Sequence, residues 1–294
     1  MRHHHFHFYL FIIYLILATT LMVKLGIGIT PDRYLIVLLI ASLFTHKVFK
    51  FLHDFLPFIL VILGYDFLRG FADDLNPRIH YLEKVHATQF LFNGHIPTVE
   101  LQHLFYTPGV LHWYDYGGSF LYLLHFAVPL GFAFILWLYN RRGFLEFSVG
   151  LSLVSYSALL FYLIFPTAPP WLAAKHGYIP EVTKILTVVV RSFPEQYHLP
   201  TIYRSIGSNL VAAIPSMHAG YAFLVFLYAI RYFKKWGLIF LPYFLLMWLT
   251  IIYLGEHYII DILIAVLFDM VFFWLSILIV KNSKHWWQDF SKFG

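Results

Sequence analysis

Three observations predict an all-α, polytopic membrane helix bundle. The 294 residues are 60% hydrophobic and 21% aromatic, and only 12% are charged, too few to coat a soluble domain of this length. The mean hydropathy is +0.72. The apolar runs reach the roughly 20 residues that a helix needs to cross hydrocarbon, and they do not alternate as barrel strands would. Their density predicts about seven or eight transmembrane helices in a single membrane domain, 1–294.

In chain order the expected spans are roughly 7–23, 34–50, 54–70, 117–139, 144–165, 211–231, 237–254 and 258–280. The first follows Met1-Arg2-His3-His4-His5-Phe6-His7. Lys24-Leu25-Gly26 is a poor cleavage site, so an uncleaved helix is expected. The histidines read as a headgroup-facing tail or as metal ligands. The second and third spans meet at the tight junction His46-Lys47 to His53-Asp54, and a re-entrant hairpin is the alternative there. The stretch 1–76 thus reads as N-terminal transmembrane helices. The segment 77–116 is too polar to span. Tyr81, Val85, Phe90 and Phe92 mix with Glu83, Lys84 and His86, which predicts short interfacial helices, either a lid or a plain connector. The stretch 117–280 carries the remaining spans and the motifs below.

The net charge of +5 falls between spans, which points to anchoring at a membrane face and not to nucleic acid. Arg141-Arg142, Arg231 with Lys234-Lys235, and Lys281 with Lys284 alternate with the last five spans as cytoplasmic turns should. Both termini are then cytoplasmic, and 71–116, 166–210 and Leu254-Gly255-Glu256 face the other side. The chain has no cysteine, which excludes disulfides, thiol nucleophiles and Cys-based metal sites.

Two strings on that outer side carry chemistry. In Gly255-Glu256-His257-Tyr258-Ile259-Ile260-Asp261, the His257–Asp261 spacing of four puts both side chains on one helical face. The carboxylate can hold one imidazole nitrogen and leave the other nucleophilic. In Pro215-Ser216-Met217-His218, Pro215 suits a first helical turn. The free N–H groups there can hold phosphate, Ser216 adds a donor, and His218 can protonate a leaving oxygen. Each string alone also admits a structural reading, as a tied-down helix start and a capped one. Together at one membrane face they point to phosphoryl transfer through a histidine, with no metal and no cofactor.

A third string, Phe165-Pro166-Thr167-Ala168-Pro169-Pro170-Trp171, closes the fifth span. Pro169-Pro170 predicts an extended exit, and Trp171 suits the interface. Candidate phosphate cations on this side are Arg204 first, then Lys175, Arg191 and Arg69, the last within the charged Tyr65–Asp74 cluster. Asp269 lies deep in the last span, where it is expected to face the bundle interior.

These strings resemble the type 2 phosphatidic acid phosphatase (PAP2) superfamily. Its usual motifs are Lys-x6-Arg-Pro, Pro-Ser-Gly-His and Ser-Arg-x5-His-x3-Asp. The second is Pro215–His218 here, and the third keeps His257-x3-Asp261. The resemblance implies a six-helix core, a phosphohistidine on His257, Asp261 as its partner, and His218 as the acid on the leaving group. Thr250 and Ile251 stand where Ser-Arg is usual, and Ala158 and Phe165 replace the Lys and Arg of the first motif. The branch containing inositol phosphorylceramide synthase is the nearer likeness. It shares a Phe-Pro…Pro-Pro-Trp string, Pro-Ser-x-His-Ala-Gly and a short His-Tyr-x2-Asp motif, here spread over about 155 to 280.

The expected activity is transfer of a phospho-headgroup, phosphoinositol being one candidate, between membrane lipids at the extracytoplasmic leaflet. The partners are a phospholipid donor and a lipid or polyol alcohol. The plasma membrane is the expected location. A lipid phosphatase is the alternative, differing only in using water as acceptor. A transporter with a His–Asp relay would place these groups at mid-span, whereas they fall at helix starts.

Overall fold

The computed structural model describes residues 13–22, 24, 25, 27, 31–44, 48–69, 76, 78–193 and 211–283, without the side chains of 31, 32, 44, 66 and 69. The described residues are helical, with two isolated β-bridges and no strand. The helices in order are α1 (Ile13–Met22), α2 (Pro31–Phe44), α3 (Val48–Arg69), α4 (Leu82–Leu91), α5 (Pro97–Phe105), α6 (Trp113–Leu123), α7 (Ala127–Tyr139) and α8 (Arg141–Ile164). Then follow α9 (Pro170–Lys175), α10 (Ile185–Ser192), α11 (Met217–Phe233), α12 (Leu241–Tyr253) and α13 (Ile259–Asn282).

Among the described residues, four helical runs are long and apolar enough to cross a membrane: Val48–Tyr65, Arg141–Ile164, Met217–Tyr253 and Ile259–Asn282. The pair α6 and α7, bent by 50°, makes a fifth if it is one span. The run Met217–Tyr253 folds back on itself. Lys234 adopts φ +51°, a short 3₁₀ turn (Lys234–Phe240) follows, and α12 returns along α11. Trp248 Nε1 donates to the Ala219 carbonyl at 3.2 Å, and Phe226 packs on Phe244 with ring centroids 4.7 Å apart, so the two helices are antiparallel. The chain between residues 211 and 216 precedes α11, so this helix starts later than the expected 211.

The N-terminal half differs from expectation in one respect. The second helix is described to Phe44 and the third from Val48, so His53-Asp54 lies inside α3, not at a junction. A carboxylate is tolerated there because it is paired. Asp54 accepts from Arg141 Nη2 at 2.8 Å and from Trp137 Nε1 at 2.8 Å. Beside this pair, Phe51, Phe55, Phe134, Trp137 and Phe144 form a continuous aromatic core, with Phe55 and Phe144 centroids 4.8 Å apart.

Helix α11 lies at the centre, seated on α8. Tyr228 donates to the Glu146 carbonyl at 2.9 Å, and Ser155 Oγ and the Tyr221 hydroxyl are 2.7 Å apart. Gly150 permits this approach, because a Cβ there would lie 2.6 Å from the Tyr228 hydroxyl. Glu146 is fully buried and gathers Arg142 Nε at 2.8 Å, Arg231 Nε at 3.0 Å and the Tyr232 hydroxyl. The arginine-bearing turns therefore meet at one end of the bundle. His218 and Arg231 sit thirteen residues apart on α11, about 20 Å along its axis.

Within 77–113 lie the short helices α4 and α5, of 10 and 9 residues. Their faces are mixed: Leu82, Phe90, Leu91 and Leu104 are exposed beside Glu83, His86, Glu100 and His103, while Lys84, Thr88, Thr98 and Gln102 are buried with Val85 and Val99. Gln102 uses its whole amide. Its Nε2 donates to the Thr183 and Tyr253 carbonyls, each at 2.8 Å, and its Oε1 accepts from Thr183 N at 2.8 Å. That ties α5 to the end of α12 and the start of α10.

Candidate active site

The site forms where the starts of α11 and α13 meet. The Ser216 backbone N–H donates to the Asp261 carbonyl at 3.1 Å, and the Tyr162 hydroxyl of α8 donates to the Pro215 carbonyl at 2.7 Å. Pro215 precedes α11 and does not open its first turn, a correction to the expected position. Ser216 is the N-cap instead. Its Oγ accepts from Ala219 N at 3.3 Å, which satisfies one of the N–H groups that a helix start leaves open. Ser216 is fully buried, so its hydroxyl serves first as a cap. His218 follows at the second position of α11.

The His257–Asp261 relation differs in the same way. The expected shared helical face is absent, because α13 starts at Ile259 and His257 precedes it. The pair still meets. His257 Nδ1 lies 3.3 Å from Asp261 Oδ2. Asp261 is the third residue of α13, and its Oδ2 also accepts from Tyr258 N at 3.0 Å. An acidic residue at this position reaching back to the capping N–H is a standard way to close a helix start. The carboxylate thus anchors the turn and faces the imidazole at once. His257 and Asp261 are 5% and 0% exposed, which removes them from bulk water.

His218 and His257 lie with ring centroids 5.6 Å apart. Two further rings line the approach. Tyr122 stacks on His218 at 4.0 Å, and His125 meets it at 4.2 Å. Tyr122 lies in the last turn of α6 and His125 in the bend before α7, both inside the expected span 117–139. His125 is itself buried, with Nδ1 3.1 Å from the Tyr122 carbonyl.

The cations at the site are two lysines outside the expected set. Lys84 is 2% exposed and places Nζ 3.2 Å from Asp261 Oδ2, with its ammonium 5.0 Å from the centroid of the Tyr258 ring. Burial pushes the Lys84 ammonium down from its ordinary value, while Asp261 pulls it back up. Lys184 Nζ lies 3.8 Å from Glu256 Oε2 and 4.3 Å above the Trp171 ring. Burial drives the Glu256 carboxyl upward, opposed first by Lys184 and then by His257. Trp171 is bound to this loop directly, its backbone N–H donating to the Gly255 carbonyl at 3.1 Å. The extended exit after α8 covers only 165–169, and Pro170 opens the short α9 that carries Trp171.

Of the expected cations, Lys175 and Arg191 are exposed, Arg204 lies outside the described residues, and Arg69 ends α3 with its side chain outside them. The histidines at 3–7 and most of the Tyr65–Asp74 cluster also lie outside. Asp269 is fully buried in α13 beside Gly220, as expected of an interior-facing residue, and neither carboxylate oxygen has a hydrogen-bond partner among the described residues. No group of three His, Asp or Glu side chains comes together among the described residues as metal coordination would need.

Apolar helices long enough to cross a membrane thus bring two histidines and an aspartate together at one end of the bundle. The family model of the PAP2 superfamily matches residues 101–275. The chain belongs to the PAP2 superfamily, on the side of its inositol phosphorylceramide synthase-like branch, and is a membrane enzyme of the lipid phosphotransferase and phosphatase kind.

The chain is 28% identical over 278 residues to the phosphoinositol dihydroceramide synthase of Bacteroides thetaiotaomicron, covering 88% of this chain and 87% of that protein. It is 29% identical over 164 residues to the inositol phosphorylceramide synthase catalytic subunit of Schizosaccharomyces pombe, covering 52% of this chain and 36% of the relative. For the inositol phosphorylceramide synthase of Candida albicans the figures are 25% over 178 residues, 56% and 35%. The match thus spans about a third of the fungal relatives' length. No solved structure gives a significant match.

Proposed function

We propose that this protein transfers a phospho-headgroup from a glycerophospholipid to a lipid alcohol through a phosphohistidine on His257. The observation that carries the reading is the convergence of His257, Asp261 and His218 in one buried site, with His257 and Asp261 3.3 Å apart and the two imidazoles 5.6 Å apart. His257 Nε2 attacks phosphorus, and the bond from phosphorus to the diacylglycerol oxygen breaks. His218 gives its proton to that oxygen. The acceptor hydroxyl then loses its proton to His218, and its oxygen attacks phosphorus. The P–N bond breaks, leaving neutral His257 and a new phosphodiester lipid. Asp261 holds Nδ1 throughout, so that Nε2 is the nitrogen that reacts.

Ser216 at the head of α11, Pro215, Trp171, Arg69 and Arg204 are further candidates for holding the phosphate and its headgroup. The names of the relatives suggest phosphoinositol as the headgroup and a ceramide or dihydroceramide as the acceptor. Cover favours transfer over hydrolysis: α4 closes over the Asp261 carboxylate, and a site that excludes water protects the intermediate for an alcohol. Seven or eight spans with a six-helix core in 117–280 would set this site at the extracytoplasmic face of the plasma membrane. Arg141, Arg142 and Arg231 would then be on the cytoplasmic side, with both termini.

The test is purified protein in lipid nanodiscs supplied with phosphatidylinositol, with and without ceramide or dihydroceramide, and read by mass spectrometry. Transfer predicts slow turnover with donor alone and a new phosphoinositol sphingolipid when acceptor is added. Rapid release of free phosphate from phosphatidic acid, with no acceptor ever incorporated, would establish the phosphatase instead.

A further inference from the structure

We infer that Lys84 is the positioning residue of the nucleophile, sharing Asp261 Oδ2 with His257 Nδ1 so that the carboxylate is held in place and its pull on the imidazole is offset. This rests on the reading of His257 as nucleophile.

Three donors converge on that single oxygen: Lys84 Nζ at 3.2 Å, Tyr258 N at 3.0 Å and His257 Nδ1 at 3.3 Å. Asp261 Oδ1 is buried with no partner among the described residues. A carboxylate facing a lone imidazole favours the imidazolium, which cannot attack phosphorus. A second cation on the same oxygen offsets that attraction. Lys84 and Asp261 are 2% and 0% exposed, so solvent screens the effect little.

No other described charge takes the place of Lys84. On its own helix, Glu83 is turned outward and paired with His80, and His86 is exposed. On the chain before α13, Glu256 faces His257 but is engaged by Lys184. From α5, only the Thr98 hydroxyl approaches, donating to the His257 carbonyl at 3.5 Å. From α9, Lys175 is exposed. From α11, His218 faces the ring at 5.6 Å. The Tyr258 ring, 5.0 Å from the ammonium, provides an additional favourable surface for the cation.

The experiment is the pH profile of kcat/KM with phosphatidylinositol and ceramide in nanodiscs, for wild type, Lys84→Met and Lys84→Arg. Lys84→Met keeps the length and apolar stem and loses the charge. Its acid limb should move to higher pH by about one unit, because the imidazole now holds its proton longer. Lys84→Arg keeps a charge and should return the limb toward wild type. If Lys84→Met does not accumulate, Lys84→Gln retains a donor without charge and should show the same displacement. An unmoved acid limb overturns the inference, whatever happens to kcat. Turnover by His257→Ala would bring down the nucleophile itself, whereas an inactive His257→Ala with an unmoved limb brings down only the role of Lys84.

Discussion

The Ser216 N–H donates to the Asp261 carbonyl at 3.1 Å, so the two motif strings are joined through their backbones. Tyr162 holds the adjoining Pro215 carbonyl at 2.7 Å, which fixes both to α8. The side chains of His218 and His257 are therefore carried on a frame that they do not themselves build. Removing either imidazole should leave the bundle standing, which makes losses of activity interpretable as chemistry.

His257→Ala should lower turnover by at least about a thousandfold. Asp261→Asn should lose about 100- to 10,000-fold and keep a residue of activity, since the nucleophile remains but its orientation is disturbed. Wild type quenched during turnover of a labelled donor should carry acid-labile phosphate, and His257→Ala none. Robust turnover by His257→Ala would refute the assignment.

Activity should survive exhaustive chelation. The start of α11, beside His218, and the Lys84 ammonium supply positive charge at the site without an ion. The check is the nanodisc assay after dialysis against a chelator. Loss of turnover restored by one specific divalent ion would show that a metal takes part.

Sidedness can be read by cysteine labelling in intact cells, because the natural chain has no cysteine. Lys175→Cys lies at an exposed position near the site end, and Lys235→Cys at an exposed position beyond the C-terminal end of α11. An impermeant maleimide should modify the first and spare the second. Glu256 is a poor probe despite its place in the outer turn, since it is buried. The reverse pattern would put the chemistry at the cytoplasmic face.

Gly150→Ala should destabilise the bundle by about 1–3 kcal/mol. The new methyl would meet the Tyr228 hydroxyl at 2.6 Å, and that hydroxyl is held by the Glu146 carbonyl and by Ser276, so it cannot move aside freely. Thermal unfolding in detergent would register the loss. An unchanged melting temperature would mean that α8 and α11 are not in this contact.

Sequence alone determined the membrane class, from composition, and singled out the candidate trio His218, His257 and Asp261, from local strings. His257 and Asp261 are four residues apart, and Ser216 and His218 are two apart, so their meeting at helix starts needs little from the rest of the chain. Even there the local geometry was decided by capping: Ser216, not Pro215, heads α11, and Asp261 reaches back over Tyr258 to His257. Tertiary structure decided which cation meets Asp261. Lys84 stands 177 residues before Asp261, on a helix whose Leu82, Phe90 and Leu91 face outward. The ammonium is buried because the Asp261 carboxylate, itself buried, pairs with it. No periodicity along the chain records that choice. It depends on how α4 rolls against α13, and that is settled only when the two helices pack.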